Sequence, residues 1–226
     1  MKSMIKSLTL VAGVALALMG CGGGGKSGIT GPTVSVRAVN LAQSAGKIDL
    51  RTGRDQRANG MDYLQRTNFV VGAGSVQFIA YAAGTLTLVG NQLVNLPEAN
   101  KAATVVILPK SGGGVEFRGF AETARQPSAG SATIRFAHVG SSVGTVDMSV
   151  VTGPTPHVAT GLTFGNASAY VTVAAGSYPI RITKGGTSQT TTGSVNFASG
   201  TITTVYVGNP PSSTAFANFM PVVEAP

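Results

Sequence analysis

Residues 34–50 read V-S-V-R-A-V-N-L-A-Q-S-A-G-K-I-D-L, and residues 132–148 read A-T-I-R-F-A-H-V-G-S-S-V-G-T-V-D-M. The two stretches align without a gap. Arg37 falls on Arg135, Gly46 on Gly144 and Asp49 on Asp147. Each opens with apolar residues at every second position: Val34, Val36 and Ala38 in the first, Ile134 and Phe136 in the second. A period of two places alternate side chains on one face, which is the pattern of a half-buried strand. Further on, Ala73-Gly74-Ser75 matches Ala175-Gly176-Ser177, and Phe117 and Phe120 are set against Phe216 and Phe219. A repeat of about 100 residues is far longer than a solenoid unit, so these are two tandem domains.

Working outward, the second copy offers strands at Val146–Val151, Ser168–Val173, Tyr178–Thr183, Ser194–Phe197 and Thr201–Val207. The first offers Asn68–Val71, Ser75–Tyr81, Thr85–Val89, Gln92–Leu96 and Thr104–Leu108. Glycine-bearing turns separate them, and no helical period is present. Short strands spaced by turns define an all-β fold, two tandem immunoglobulin-like antiparallel β-sandwich domains. The domains are expected at residues 32–125 and 131–221, joined by the polar, Pro- and Gly-broken stretch from Ala124 to Gly130, with Pro221 to Pro226 as a loose end. Arg37 with Asp49, and Arg135 with Asp147, are expected to bridge the first two strands on the solvent face of each copy.

Residues 1–20 have the build of a cleaved signal peptide. Lys2 and Lys6 precede an apolar run from Leu8 to Met19, which is short for a bilayer span. Leu18-Met19-Gly20-Cys21 resembles the bacterial lipobox. That resemblance implies diacylglyceryl transfer to the Cys21 sulfur, cleavage before Cys21 and acylation of the new amine with a palmitate-like chain. Two or three acyl chains anchor stably where one does not. Residues 21–31 would then be the lipidated Cys and a Gly-rich tether. In a Gram-negative cell, Gly22 in place of Asp after the lipidated Cys points to the outer membrane. Cys21 is the single cysteine, so no intrachain disulfide supports the fold.

The repeat as a whole, an opening V-R-x-x-N/H strand, a polar loop, x-V-D-x and a turn at Gly74 or Gly176, resembles the bacterial Domain of unknown function 4397. The resemblance covers nearly all of residues 32–221 as two copies, the second being the closer. It implies an immunoglobulin-like sandwich in secreted or lipid-anchored proteins, and no catalytic residue. The first copy departs from it between Arg51 and Arg66, a charged stretch expected to be a solvated loop. Arg51, Arg54, Arg57 and Arg66 there could bind an anionic glycan or phosphate.

Three motifs match chemistry by letter alone. Gly20 to Ser27 fits the P-loop pattern, yet neither a strand before it nor a helix after it is expected. Gly140-Ser141-Ser142-Val143-Gly144 fits the hydrolase elbow, with His138 and Asp147 nearby, but it joins two strands and has Asn40 for His138 in the other copy. His138 and His157, the latter expected in a loop, are the only histidines, too few for a metal site without a third ligand. No cofactor and no metal are expected. The net charge of +8 is thinly spread, with no basic stripe or stacking aromatics for nucleic acid. The expected function is a non-enzymatic, lipid-anchored envelope module for structure, adhesion or interaction, with the membrane and an unidentified protein or glycan as partners. The alternatives are a glycan- or small-ligand-binding lipoprotein, with a pocket lined by Tyr63, Tyr81, Tyr170 or Tyr178, and, last, an enzyme.

Overall fold

A computed structural model describes residues 31–97, 101–150, 157–209 and 217–224. The proposed leader, Leu18, Met19, Gly20 and Cys21, the tether and the P-loop-like stretch lie outside them. Among the described residues the first repeat contributes eight strands: β1 (Thr33–Asn40), β2 (Ile48–Thr52), β3 (Asp55–Met61), β4 (Arg66–Gly72), β5 (Ser75–Ala82), β6 (Leu88–Asn95), β7 (Ala102–Pro109) and β8 (Val115–Glu122). The second contributes β9 (Ser131–His138), β10 (Val146–Val150), β11 (His157–Leu162), β12 (Val171–Ala174), β13 (Gly176–Lys184), β14 (Thr190–Phe197), β15 (Ile202–Gly208) and β16 (Asn218–Glu224). One 3-10 turn, Gln43–Ala45, interrupts them.

The strands form four four-stranded sheets, two per repeat. The inner sheets run β4-β1-β7-β8 and β12-β9-β15-β16; the outer sheets run β3-β2-β5-β6 and β11-β10-β13-β14. Each repeat is therefore an all-β sandwich. The inner sheets are mixed, because β1 runs parallel to β7 and β9 parallel to β15. Alternation along one strand reports which face is buried, but not the direction of a partner some 70 residues away.

Each sandwich closes on its own core. Val36, Ile48, Leu50, Phe78, Val105 and Phe117 sit in the first, and Ile134, Met148, Ile180, Phe197 and Val205 in the second. A third core lies between the inner sheets. Val39, Leu41, Val106, Leu108 and Phe120 of the first repeat pack there on Ala137, Val139, Tyr206, Met220 and Val222 of the second. Phe120 meets Tyr206 edge-on at 5.8 Å between ring centroids. The central strands are thus buried on both faces. That is why β7 reads as a continuous apolar run from Val105 to Leu108.

Several expectations change. The charged stretch after Arg51 is not a loop but the β2–β3 hairpin, turning at Gly53. The segments Thr85–Val89 and Gln92–Leu96 merge into the one strand β6. His157 opens β11 rather than lying in a loop. Pro221 to Glu224, expected in a loose end, belong to β16, because Met220, Val222 and Glu224 continue the alternation toward the third core. Pairing also resets the C-terminal alignment. Phe117 pairs with Ile107 and Phe219 with Val207, so Phe219 corresponds to Phe117 and not to Phe120.

Candidate functional site

Each inner sheet carries one buried arginine on the face turned toward the other repeat. Registers place Arg37 beside Thr104 and Arg135 beside Thr204. Both arginines are buried, and neither bridges its Asp as expected. Arg37 Nη1 donates to Glu122 Oε1 at 2.9 Å, and Arg135 Nη2 to Glu224 Oε1 at 2.9 Å. The reason is the third core. It removes the supposed solvent face, and a buried guanidinium needs a carboxylate of its own. Asp49 and Asp147 serve elsewhere. Asp49 Oδ1 accepts the Gly60 amide at 2.7 Å, and Asp147 Oδ1 accepts the Gly161 amide at 2.7 Å. Gly60 and Gly161 have φ of 60° and 63°, which a side chain would strain, beside the bulges in the β2–β3 and β10–β11 ladders. Each Asp therefore clamps a bulge.

The two arginine sites share a plan. Thr104 donates its hydroxyl to Glu122, and Thr204 to Glu224. In the second repeat Arg135 Nε also donates to Thr204 Oγ1 at 2.8 Å. Arg135 Nη1 reaches across to the Ala121 carbonyl at 2.7 Å, tying the repeats together. Tyr170 completes this second site. Its ring lies 4.5 Å from the Arg135 guanidinium, and its hydroxyl donates to Glu224 Oε2 at 2.8 Å. Burial pushes the Glu122 carboxyl up from its usual range, against the Thr104 hydrogen bond and the Arg37 charge. Burial also pushes the Tyr170 and Tyr206 hydroxyls well up, so both stay protonated.

The first repeat has no such ring. Tyr170 is the residue before β12 and next along from the Val171–Ile134 pair; Asn68 is the partner of Arg37. Asn68 thus stands where Tyr170 stands. Beside it is a hollow of about 350 Å3 lined by Ser35, Arg37, Asn68, Val70, Ala102 and Glu122. A second hollow, of about 320 Å3, lies at the end of the third core against Leu41, Tyr63, Leu108, Val139 and Met220.

The elbow-like motif does not assemble for catalysis. Burial lowers the His138 pKa and holds the ring neutral. Its Nδ1 accepts the Gly140 amide at 3.2 Å while Nε2 faces the Gly144 carbonyl, so both nitrogens hold the β9–β10 loop. Ser142 turns to Asn209, 2.8 Å away. Asn40 does the same work in the first repeat, accepting the Ala42 amide at 2.9 Å and donating to the Met61 carbonyl at 3.0 Å.

The four arginines of the charged stretch do not converge either. Arg51 donates to Gln56 and lies 5.3 Å over the Tyr81 ring. Arg57 binds Thr52 and Asp55 and lies over Phe69. Arg54 is exposed in the hairpin turn, and Arg66 is exposed at the start of β4. The tyrosines are likewise dispersed: Tyr63 points its hydroxyl at Met220 Sδ, and Tyr178 bonds the Ala174 carbonyl. Among the described residues no three His, Cys, Asp or Glu side chains gather as a metal site. Sequence reasoning missed Thr104, Glu122, Thr204 and Glu224. The visible signal was a lone arginine among apolar residues in the first strand of both copies, matched by a Glu at the end of each copy's last strand, Glu122 and Glu224, and a Thr on the strand before it, Thr104 and Thr204.

Fold and site together define a tandem β-sandwich protein whose repeats share a buried Arg–Thr–Glu arrangement. The chain belongs to the family described as Domain of unknown function (DUF4397), matched over residues 34–149. That match spans the first repeat and the first two strands of the second, whereas the sequence places the closer resemblance in the second. Among solved structures, a Bacteroides ovatus ATCC 8483 protein with a suggested cell-adhesion role is similar over 86% of this chain and 98% of its own, at 9% identity and a TM-score of 0.26. A leucine-rich repeat protein from Bacteroides thetaiotaomicron VPI-5482 is similar over 76% of this chain and 25% of its own, at 14% identity and a TM-score of 0.19. No curated protein matches the sequence.

Proposed function

We propose that this chain is a lipid-anchored module of the cell envelope that works by presenting surfaces to a partner rather than by catalysis. The observation that carries the reading is the use made of its polar side chains. Arg37, Asp49, Arg135, His138 and Asp147 all bind other parts of the fold. A scaffold whose polar groups are engaged in its own rigidity offers surfaces and hollows for recognition rather than an assembled catalytic set. That surface includes Leu86 and Leu88, exposed at the tip of the β5–β6 hairpin, and Leu93, exposed on β6. Cys21 supplies the anchor, and residues 22–31 the reach from the membrane.

The test is made in the source cells with the full chain. Wild type is expected to incorporate labelled fatty acid and to sediment with membranes. Cys21→Ser is expected to lose both. A Cys21→Ser protein that still sediments with membranes, or a wild type that takes up no label, removes the anchor from the proposal. Protease added to intact cells then tells whether the module faces outward or toward the periplasm.

A further inference from the structure

We infer that the hollow beside Arg37 and Glu122 is a binding site for a phenolic ring, seated as Tyr170 is seated in the second repeat. The inference does not depend on the lipid anchor. It follows from comparing two versions of one site within a single chain.

In the second repeat a phenol satisfies an Arg–Thr–Glu group on two sides. The ring face covers the Arg135 guanidinium at 4.5 Å, and the hydroxyl donates to the second carboxylate oxygen of Glu224 at 2.8 Å. The first repeat holds the same three residues at corresponding registers. Arg37 and Thr104 both bind Glu122 Oε1. There the chain supplies Asn68, an exposed residue with no ring to lay over the guanidinium. The space is a hollow of about 350 Å3 lined by Ser35, Arg37, Asn68, Val70, Ala102 and Glu122, of which Ser35, Asn68 and Val70 are exposed. That volume is at the small end of ligand pockets, suited to one substituted ring. Its chemistry is a cation and an anion that both line the hollow, the one able to take a ring face and the other a proton donor. A phenol meets both requirements; an aliphatic chain meets neither. The ring could belong to a small phenol or to a tyrosine side chain of a partner polypeptide.

The experiment titrates the full chain with N-acetyl-tyrosinamide, followed by saturation-transfer NMR, with N-acetyl-phenylalaninamide as control. Binding of the tyrosine amide is expected. The phenylalanine amide should bind about tenfold more weakly, because it lacks the donor to a charged acceptor. Asn68→Tyr should fill the hollow from within, abolish binding and raise the thermal midpoint. Asn68→Phe should also abolish binding. Two further probes separate the sources. A Ser-Gly-Tyr-Gly-Ser peptide that binds at least as well as 4-hydroxyphenylacetamide assigns the ring to a polypeptide; a peptide excluded while the small phenol binds assigns it to a small molecule. No binding by any phenol overturns the proposal. So does binding that survives a folded Asn68→Tyr, or equal binding of the two amides. Should both variants fail to fold, the comparison of the two amides on wild type decides alone.

Discussion

At the scale of single residues, His138 shows how the same task is done by two chemistries. It and Asn40 each end the first strand of a repeat, fully buried, and each binds the backbone of the loop that follows. Either side chain can accept one amide and donate once more, so the position requires hydrogen bonding and not an imidazole. Two outcomes follow. His138→Asn should cost under about 1 kcal/mol, whereas His138→Ala, which leaves loop groups unpaired in a buried place, should cost about 1–3 kcal/mol by urea denaturation. The second concerns pH. Burial lowers the His138 pKa below the usual value of about 6.5, so the unfolded chain takes up the proton first. Stability from the neutral ring is complete above that value and declines as pH falls below it. His138→Asn should flatten this part of the profile. An unchanged acid slope would assign it to another group, for which the buried carboxyls are the candidates.

At the scale of elements, the edges of the sandwich explain the glycines of β6 and β8. These two edge strands, from different sheets of the first repeat, meet along the open side of the sandwich. The Phe117 amide of β8 donates to the Gln92 side chain of β6 at 3.0 Å, which occupies an edge amide otherwise free to recruit another strand. A Cβ on Gly90 would lie 2.5 Å from Val115 Cγ2 and 2.7 Å from the Val115 carbonyl oxygen. A Cβ on Gly119 would lie 2.8 Å from Val94 Cγ1, the end of a side chain. Backbone cannot step aside as a methyl group can. Gly90→Ala should therefore cost about 1–3 kcal/mol and Gly119→Ala less, measured by urea denaturation. Equal costs would mean the two strands part easily. Most elements were legible from alternation and turn glycines, because each sandwich buries one face of its outer strands. β3 was not legible. Asp55 to Met61 is a polar edge strand whose Arg57 is drawn in by Asp55, Thr52 and the Phe69 ring rather than by burial. The site was half legible. Arg37 and Arg135 stand out in an apolar run, but their carboxylates are 85 and 89 residues away, and local parity offered the nearer Asp49 and Asp147. Only the tertiary register selects between a near and a distant partner.

At the scale of the whole molecule, the third core decides how the two sandwiches behave. Its faces are equivalent surfaces of two related sheets, so the contact resembles that of a symmetric dimer written into one chain. It buries Val39, Val106, Leu108, Phe120, Ala137 and Tyr206 almost completely and includes the Arg135 bond to Ala121. A buried Val, Leu or Phe is worth about 1.5–3 kcal/mol, while a whole domain has a net stability of about 5–15 kcal/mol. Parting the inner sheets would expose enough apolar surface to cost either sandwich most of its margin. The molecule should therefore melt as one unit, with a calorimetric enthalpy equal to the van't Hoff enthalpy for the full chain. Val106→Asp places a charge in the third core and leaves the first sandwich's own core, on the other face of β7, intact. It should split the melt into two transitions and speed tryptic cleavage at Arg125, which is exposed in the connection between repeats. Val105→Asp, one residue earlier and facing the opposite way, should instead unfold the first repeat outright. Two separate transitions in the wild type would show that the inner sheets only touch. A Val106→Asp chain that still melts once would show that the connection and the Arg135 bond, rather than the third core, hold the repeats together.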